Sequence, residues 1–181
     1  LKKGFKVKHS SELQLSLNAE LVGPRKNRIP ADNGYNVQKW WFDAEGKHVD
    51  DQLITAQQGQ LFTVVIQVNK TSKNRDGDVL ITDLLPAGFE IEDALVAPPS
   101  LSSVGVYHES DVEPDYQANM DDRFVAHFAN RLYLNDNILL SYVVRSAYTG
   151  EVQIGGAHIE HMYAPEVNGR SGSFRALVIE K

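Results

Sequence analysis

The chain has 181 residues, of which 42% are hydrophobic, enough to bury one substantial core and to make a single domain over residues 1–181 the default. Eighteen basic residues against 24 acidic give a net charge of −6, and because residues 1–30 hold seven basic side chains against Glu12 and Glu20, the remainder carries about −11. That balance argues against nucleic-acid binding by the main body, and the lack of cysteine excludes disulfides, thiolate metal sites and a cysteine nucleophile.

In chain order, the opening Leu1-Lys2-Lys3-Gly4-Phe5 has basic residues without an apolar stretch behind them, so it does not read as a signal peptide. It reads as cut from something longer. Leu13, Leu15, Leu17, Ala19 and Leu21 alternate with Gln14, Ser16, Asn18 and Glu20, the period of a strand with one buried face. Residues 1–30 serve either as a lead-in strand or as a linker from a preceding domain. A longer loop is expected at Gly23 to Gly34, followed by strands at Val37 to Phe42, Leu61 to Val68 and Val79 to Leu85. A second long loop, Ala97 to Asn119, carries Glu109, Asp111, Glu113 and Asp115 without a basic residue. Strands resume at Phe124 to Phe128, Ile138 to Arg145, Glu151 to Ile154 and Phe174 to Ile179. Turns are expected at Ala44 to Lys47, Gln58-Gly59, Arg75 to Asp78, Pro86-Ala87-Gly88, Tyr148-Thr149-Gly150 and Asn168-Gly169. No helical period of useful length occurs, and no apolar run approaches the roughly 18 residues of a membrane-spanning helix. The expectation is an all-β antiparallel sandwich of about 7 to 9 strands.

Catalytic groupings are hard to assemble from this sequence. His158-Ile159-Glu160-His161 gathers two imidazoles and a carboxylate, but in an extended segment a spacing of three puts the two histidines on opposite faces, so a polar loop is the plainer reading. Arg75-Asp76-Gly77-Asp78 lacks the further ligands and closing glutamate of a calcium loop. The neighbours Asp50-Asp51 and Asp121-Asp122 point to opposite faces of a strand and cannot share a proton. Ser171-Gly172-Ser173 is a turn without a nucleophile motif around it, and phosphate-binding or dinucleotide fingerprints are missing. Neither an enzyme nor a resident cofactor or metal is expected. Trp40-Trp41-Phe42 places one tryptophan toward the core and the other under a loop or at an interface.

Three ordered segments resemble the C-terminal macroglobulin-like domain of the bacterial α2-macroglobulin family. The first is Trp41-Phe42-Asp43-Ala44-Glu45-Gly46-Lys47-His48-Val49-Asp50 with Gln58-Gly59-Gln60-Leu61-Phe62-Thr63-Val64, similar to an aromatic, D-x-x-G-K-x-V-D, then Q-G-D-x-V-x-V. The second is Thr82-Asp83-Leu84-Leu85-Pro86-Ala87-Gly88-Phe89-Glu90. The third joins Asp121-Asp122-Arg123-Phe124 to Tyr142 through Ala147, Gly150, and Met162-Tyr163-Ala164-Pro165-Glu166-Val167 with Gly169-Arg170-Ser171. Together they span roughly residues 35 to 180. The chain departs from the family at Val152, where phenylalanine is frequent, and at Gly155-Gly156, where proline is frequent and a looser connection is therefore expected.

The resemblance implies a macroglobulin sandwich of fibronectin- or immunoglobulin-like type at the end of a periplasmic protease-trapping inhibitor anchored to the inner membrane. Its partners would be other domains of the parent chain, proteases held by the parent, and possible enzymes of cell-wall synthesis, with no membrane insertion by this fragment. In thioester-bearing relatives such a domain shields the thioester with a tyrosine. Tyr163 is the first candidate for that role and Tyr148 the second, with Met162 and Pro165 beside Tyr163 in an expected loop. The thioester itself would lie outside this cysteine-free chain, and the family includes members without one. Structural roles are expected for Pro86 and Gly88 in a strand exit turn, and for Arg123 and Arg145 as partners of Asp122 and Asp83. Thr82 to Gly88 also resembles immunoglobulin-like surface adhesins, which makes a stalk or adhesin module the alternative.

Overall fold

The computed structural model describes residues 29–49, 53–73, 77–92, 110–129, 132 and 136–181. The alternating Leu13 to Leu21 segment, Asp50-Asp51 and Arg75-Asp76 lie outside these residues. Thirteen strands are described: β1 (Ala31–Asn33), β2 (Tyr35–Phe42), β3 (Leu53–Gln57), β4 (Leu61–Lys70), β5 (Val79–Leu84), β6 (Phe89–Ile91), β7 (Tyr116–Asn119), β8 (Arg123–Phe128), β9 (Asn137–Ser146), β10 (Gly150–Ile154), β11 (His158–His161), β12 (Ala164–Arg170) and β13 (Phe174–Ile179). They form a six-stranded sheet in the order β1-β12-β11-β5-β8-β7, a four-stranded sheet β2-β4-β9-β6, and a three-stranded sheet β10-β13-β3. Every pairing is antiparallel except β13 with β3.

The architecture is the expected all-β sandwich, with more strands than expected. The seven expected strands that fall within the described residues all form, because each presents β-branched, aromatic or leucine side chains to the core. The six others are short or polar, and their ladders come from neighbours rather than from their own pattern. β1 and β7 occupy the ends of the two long expected loops, at the outer edges of the six-stranded sheet. His158 to His161 is strand β11, held on both sides by β5 and β12, and not a polar loop. Asn168-Gly169 lies within β12, paired with β1 and β11, and is not a turn. Gly169 suits that place because a Cβ there would lie 2.0 Å from the Tyr35 carbonyl oxygen.

One core unites the three sheets. Tyr35, Val37 and Trp41 of β2, Phe62, Val64, Ile66 and Val68 of β4, and Ile138, Leu140, Tyr142 and Val144 of β9 face Val79 and Ile81 of β5, Phe124, Ala126 and Phe128 of β8, and Ile159 of β11. Ile54, Ile154, Phe174 and Val178 close the side from the three-stranded sheet. Trp41 sits edge-on to Phe89 and Phe174 with ring centroids 5.3 and 6.0 Å away. Trp40 takes the other face and packs with Phe42, Val65 and Leu139. The two tryptophans therefore divide between faces as strand parity requires.

Candidate functional site

The β11–β12 hairpin carries the most exposed aromatic among the described residues. Its ladder runs regularly to Glu160↔Asn168 and then jumps to His161↔Ala164, which leaves Pro165, Glu166 and Val167 without partners on β11. Pro165 has no N–H to give to a ladder, so the bulge falls where the sequence cannot continue pairing. Val167 turns into the core while Pro165 and Glu166 face outward. At the tip, Met162 is 47% exposed and Tyr163 79% exposed.

This tip is fixed from beneath. The Met162 N–H donates to the Asp78 carbonyl at 2.8 Å, and the Tyr163 N–H donates to Nδ1 of buried His161 at 3.2 Å. The amide of Asn168 donates to the Pro165 carbonyl at 2.8 Å and spans the bulge. Met162 and Tyr163 are thus a tight two-residue turn, whereas Ala164 and Pro165 already belong to β12, a correction to the expected four-residue loop.

Tyr148 is 65% exposed but lies elsewhere. The N–H groups of Ala147 and Tyr148 both donate to the Gly88 carbonyl, at 2.8 and 3.1 Å, beside the turn that follows β5. Pro86 and Gly88 lie in that turn: the Phe89 N–H closes on the Pro86 carbonyl at 3.2 Å, and Gly88 has φ of 85°. Met162 bonds to Asp78 at the start of β5 and Tyr148 to Gly88 beyond its end, so the two tyrosines occupy opposite ends of the sandwich. They cannot serve one site together.

The charged residues singled out by sequence separate into surface braces and one buried network. Arg123 forks onto the neighbouring Asp122 carboxylate at 2.9 and 2.6 Å, and this hydrogen bonding, with the guanidinium charge, holds the Asp122 carboxyl below its ordinary range. The Asp122 carbonyl accepts from the Leu85 N–H at 2.9 Å, which ties this hairpin to the Pro86 turn. Arg145 bonds to Glu92 and, at 2.9 Å, to Glu90, raising its own pKa. It does not reach Asp83. Asp83 faces inward and belongs to Lys39, whose Nζ lies 2.7 Å from Oδ1 with both side chains essentially sealed from solvent.

The Lys39 ammonium also donates to the Gly155 carbonyl at 3.2 Å and lies 5.8 Å from the centre of the Trp41 ring. Tyr142 donates its hydroxyl to Asp83 Oδ2 at 2.6 Å and stacks on Phe124 at 4.7 Å and 9°. Burial first, then the charge and hydrogen bond of Asp83, push the Tyr142 phenol well above its ordinary range. The network links β2 and β9 of one sheet to β5 of the other, and it fastens the Gly155-Gly156 connection expected to be loose. Gly156 tightens it further, because a Cβ there would lie 2.1 Å from the Ser171 carbonyl oxygen. The signal that marks Lys39 and Asp83 is strand parity: Lys39 shares a face with Tyr35, Val37 and Trp41, and Asp83 with Val79 and Ile81.

His158 and His161 stand on opposite faces of β11, half-buried and buried respectively. Among the described residues, no three His, Asp or Glu side chains stand close enough together to hold a metal ion.

Residues 34–166 match the family model described as the bacterial alpha-2-macroglobulin MG10 domain. The chain is 28% identical over 184 residues to the alpha-2-macroglobulin of Escherichia coli, and 27% identical over 186 residues to that of Xylella fastidiosa, strain Temecula1. These alignments cover 97% and 98% of the chain and 11% of each relative, so the chain spans about a tenth of their length. Among solved structures, trypsin-activated alpha-2-macroglobulin from Escherichia coli superposes with a TM-score of 0.66 at 26% identity, over 83% of this chain and 11% of that one. Salmonella alpha-2-macroglobulin reacted with methylamine gives a TM-score of 0.67 at 25% identity, over 86% and 10%.

Proposed function

Because the chain belongs to the bacterial alpha-2-macroglobulin MG10 domain family, we propose that it is a non-catalytic docking domain of a protease-trapping inhibitor, presenting Met162 and Tyr163 to a neighbouring domain of the same polypeptide. The observation that carries this reading is the hairpin tip. A large aromatic and a flexible thioether stand exposed side by side on a backbone tied down by hydrogen bonds. Exposed Tyr and Met side chains on a backbone already tied down suit an interdomain contact, because little backbone freedom is lost on docking. The tip also lies inside the matched residues 34–166, as does Thr82 to Gly88, whose adhesin-like reading the family membership replaces.

Where the parent carries a thioester, Tyr163 covers it and excludes water and small amines, and Tyr148 at the far end of the sandwich does not. This reading assigns the parent to the periplasm, anchored to the inner membrane, with proteases engaged by the whole assembly rather than by this domain. Cell-wall synthesis enzymes are further candidate partners of the parent. A photo-crosslinking amino acid at position 163 of the full-length parent should join this domain to a peptide outside residues 1–181. Crosslinking confined to this domain, or equal yield from position 148, would contradict the assignment.

A further inference from the structure

We propose that His161 is the positioning residue of the Met162–Tyr163 tip, acting through an unprotonated Nδ1, and that Gly77 is kept without a side chain to receive its ring. His161 ends β11 with its side chain buried, at the ladder jump where regular pairing stops. The His161↔Ala164 pair closes the turn, while Met162 and Tyr163 themselves stand outside the β11–β12 ladder, and the Tyr163 N–H takes Nδ1 of His161 as its acceptor. An imidazole can accept there only when its proton resides on Nε2. The other edge of the ring fills the space in front of Gly77, where a Cβ would lie 2.1 Å from Nε2 and 2.6 Å from Cε1. Gly77 thus leaves room for the ring, and the next residue, Asp78, takes the Met162 N–H on its carbonyl. The inference rests on the docking role of the tip but makes a separate claim, that this one side chain sets the tip geometry.

The test uses hydrogen exchange of the residue 162–164 amides in the full-length parent, together with the crosslink from position 163. Asparagine can place its Oδ1 close to where histidine places Nδ1, whereas glutamine mimics Nε2 and alanine neither. His161→Asn should keep the native exchange rate. His161→Gln, His161→Ala and Gly77→Ala should each speed exchange of the Tyr163 amide roughly fivefold, the effect of losing one ordinary hydrogen bond, and lower the crosslink yield. Equal exchange in all four variants, or His161→Asn as fast as His161→Ala, would overturn the proposal. If the wild-type tip crosslinks to no other domain, the docking role falls, and the exchange pattern still decides the claim about His161.

Discussion

Lys39 and Asp83 meet in the dry centre of the sandwich, 2.7 Å apart, from strands of opposite sheets. Such a pair stabilises little relative to apolar replacements, yet removing one partner strands a buried charge. Lys39→Met alone should cost about 3–5 kcal/mol in urea unfolding. Adding Asp83→Asn should recover most of that loss, since the amide oxygen still accepts from Tyr142 without needing a cation. Strict additivity of the two changes would argue against the coupling.

Tyr142 gives this network a pH dependence. Its phenol ionises at higher pH in the folded chain than in the unfolded one, because burial and the adjacent Asp83 oppose a second negative charge. The resulting stabilisation is fully present below about pH 10 and is lost as pH rises toward the folded value, because the unfolded chain ionises first. Tyr142→Phe should cost about 1.5 to 3 kcal/mol near neutrality, the value of a hydrogen bond to a charged group. It should also flatten the decline above pH 10, as measured by unfolding at a series of alkaline pH values.

Two glycines in neighbouring elements should respond oppositely to alanine. At Gly169 a Cβ would lie 2.0 Å from the Tyr35 carbonyl oxygen, so β12 and β2 must move apart, at about 1–3 kcal/mol. At Gly155 no heavy atom lies within 4 Å of that position, and φ is not positive. Gly155→Ala should be neutral or stabilise by up to about 1 kcal/mol through the unfolded chain. Thermal unfolding of the two variants side by side distinguishes them.

The surface braces should matter far less. Arg123→Ala removes an exposed fork to Asp122 that water and salt screen, so its effect on unfolding should be small and should shrink further in high salt. A loss comparable to that of Lys39→Met would show that this hairpin is a structural keystone.

Sequence pattern and structure agree where strands are long and rich in apolar side chains. β4 and β9 announce themselves because their long runs of β-branched, aromatic and leucine side chains bury both faces, one in the main core and the other, through Val65 and Leu139, beside Trp40 and Phe42. β11 and β12 do not, because His158, Glu160, Pro165, Asn168 and Gly169 carry no apolar period, and their strand character is imposed by β5 and β1 on either side. The exposed Met162-Tyr163 pair was legible through the family resemblance, and its tight two-residue form was not, since that depends on the ladder jump beyond Glu160. Lys39 was legible in principle from parity alone. A lysine in a strand ordinarily reads as solvent-facing, and only its partner across the sandwich gives it reason to be inside.

If the β11–β12 tip covers the reactive site of a thioester-bearing parent, and the Tyr148 end does not, loss of the two tyrosine side chains must have different consequences. The most direct measurement is the rate of methylamine incorporation into the full-length parent carrying Tyr163→Gly or Tyr148→Gly. Incorporation should be faster for Tyr163→Gly and unchanged for Tyr148→Gly. An unchanged rate for Tyr163→Gly, or acceleration by Tyr148→Gly alone, would contradict that role for the tip.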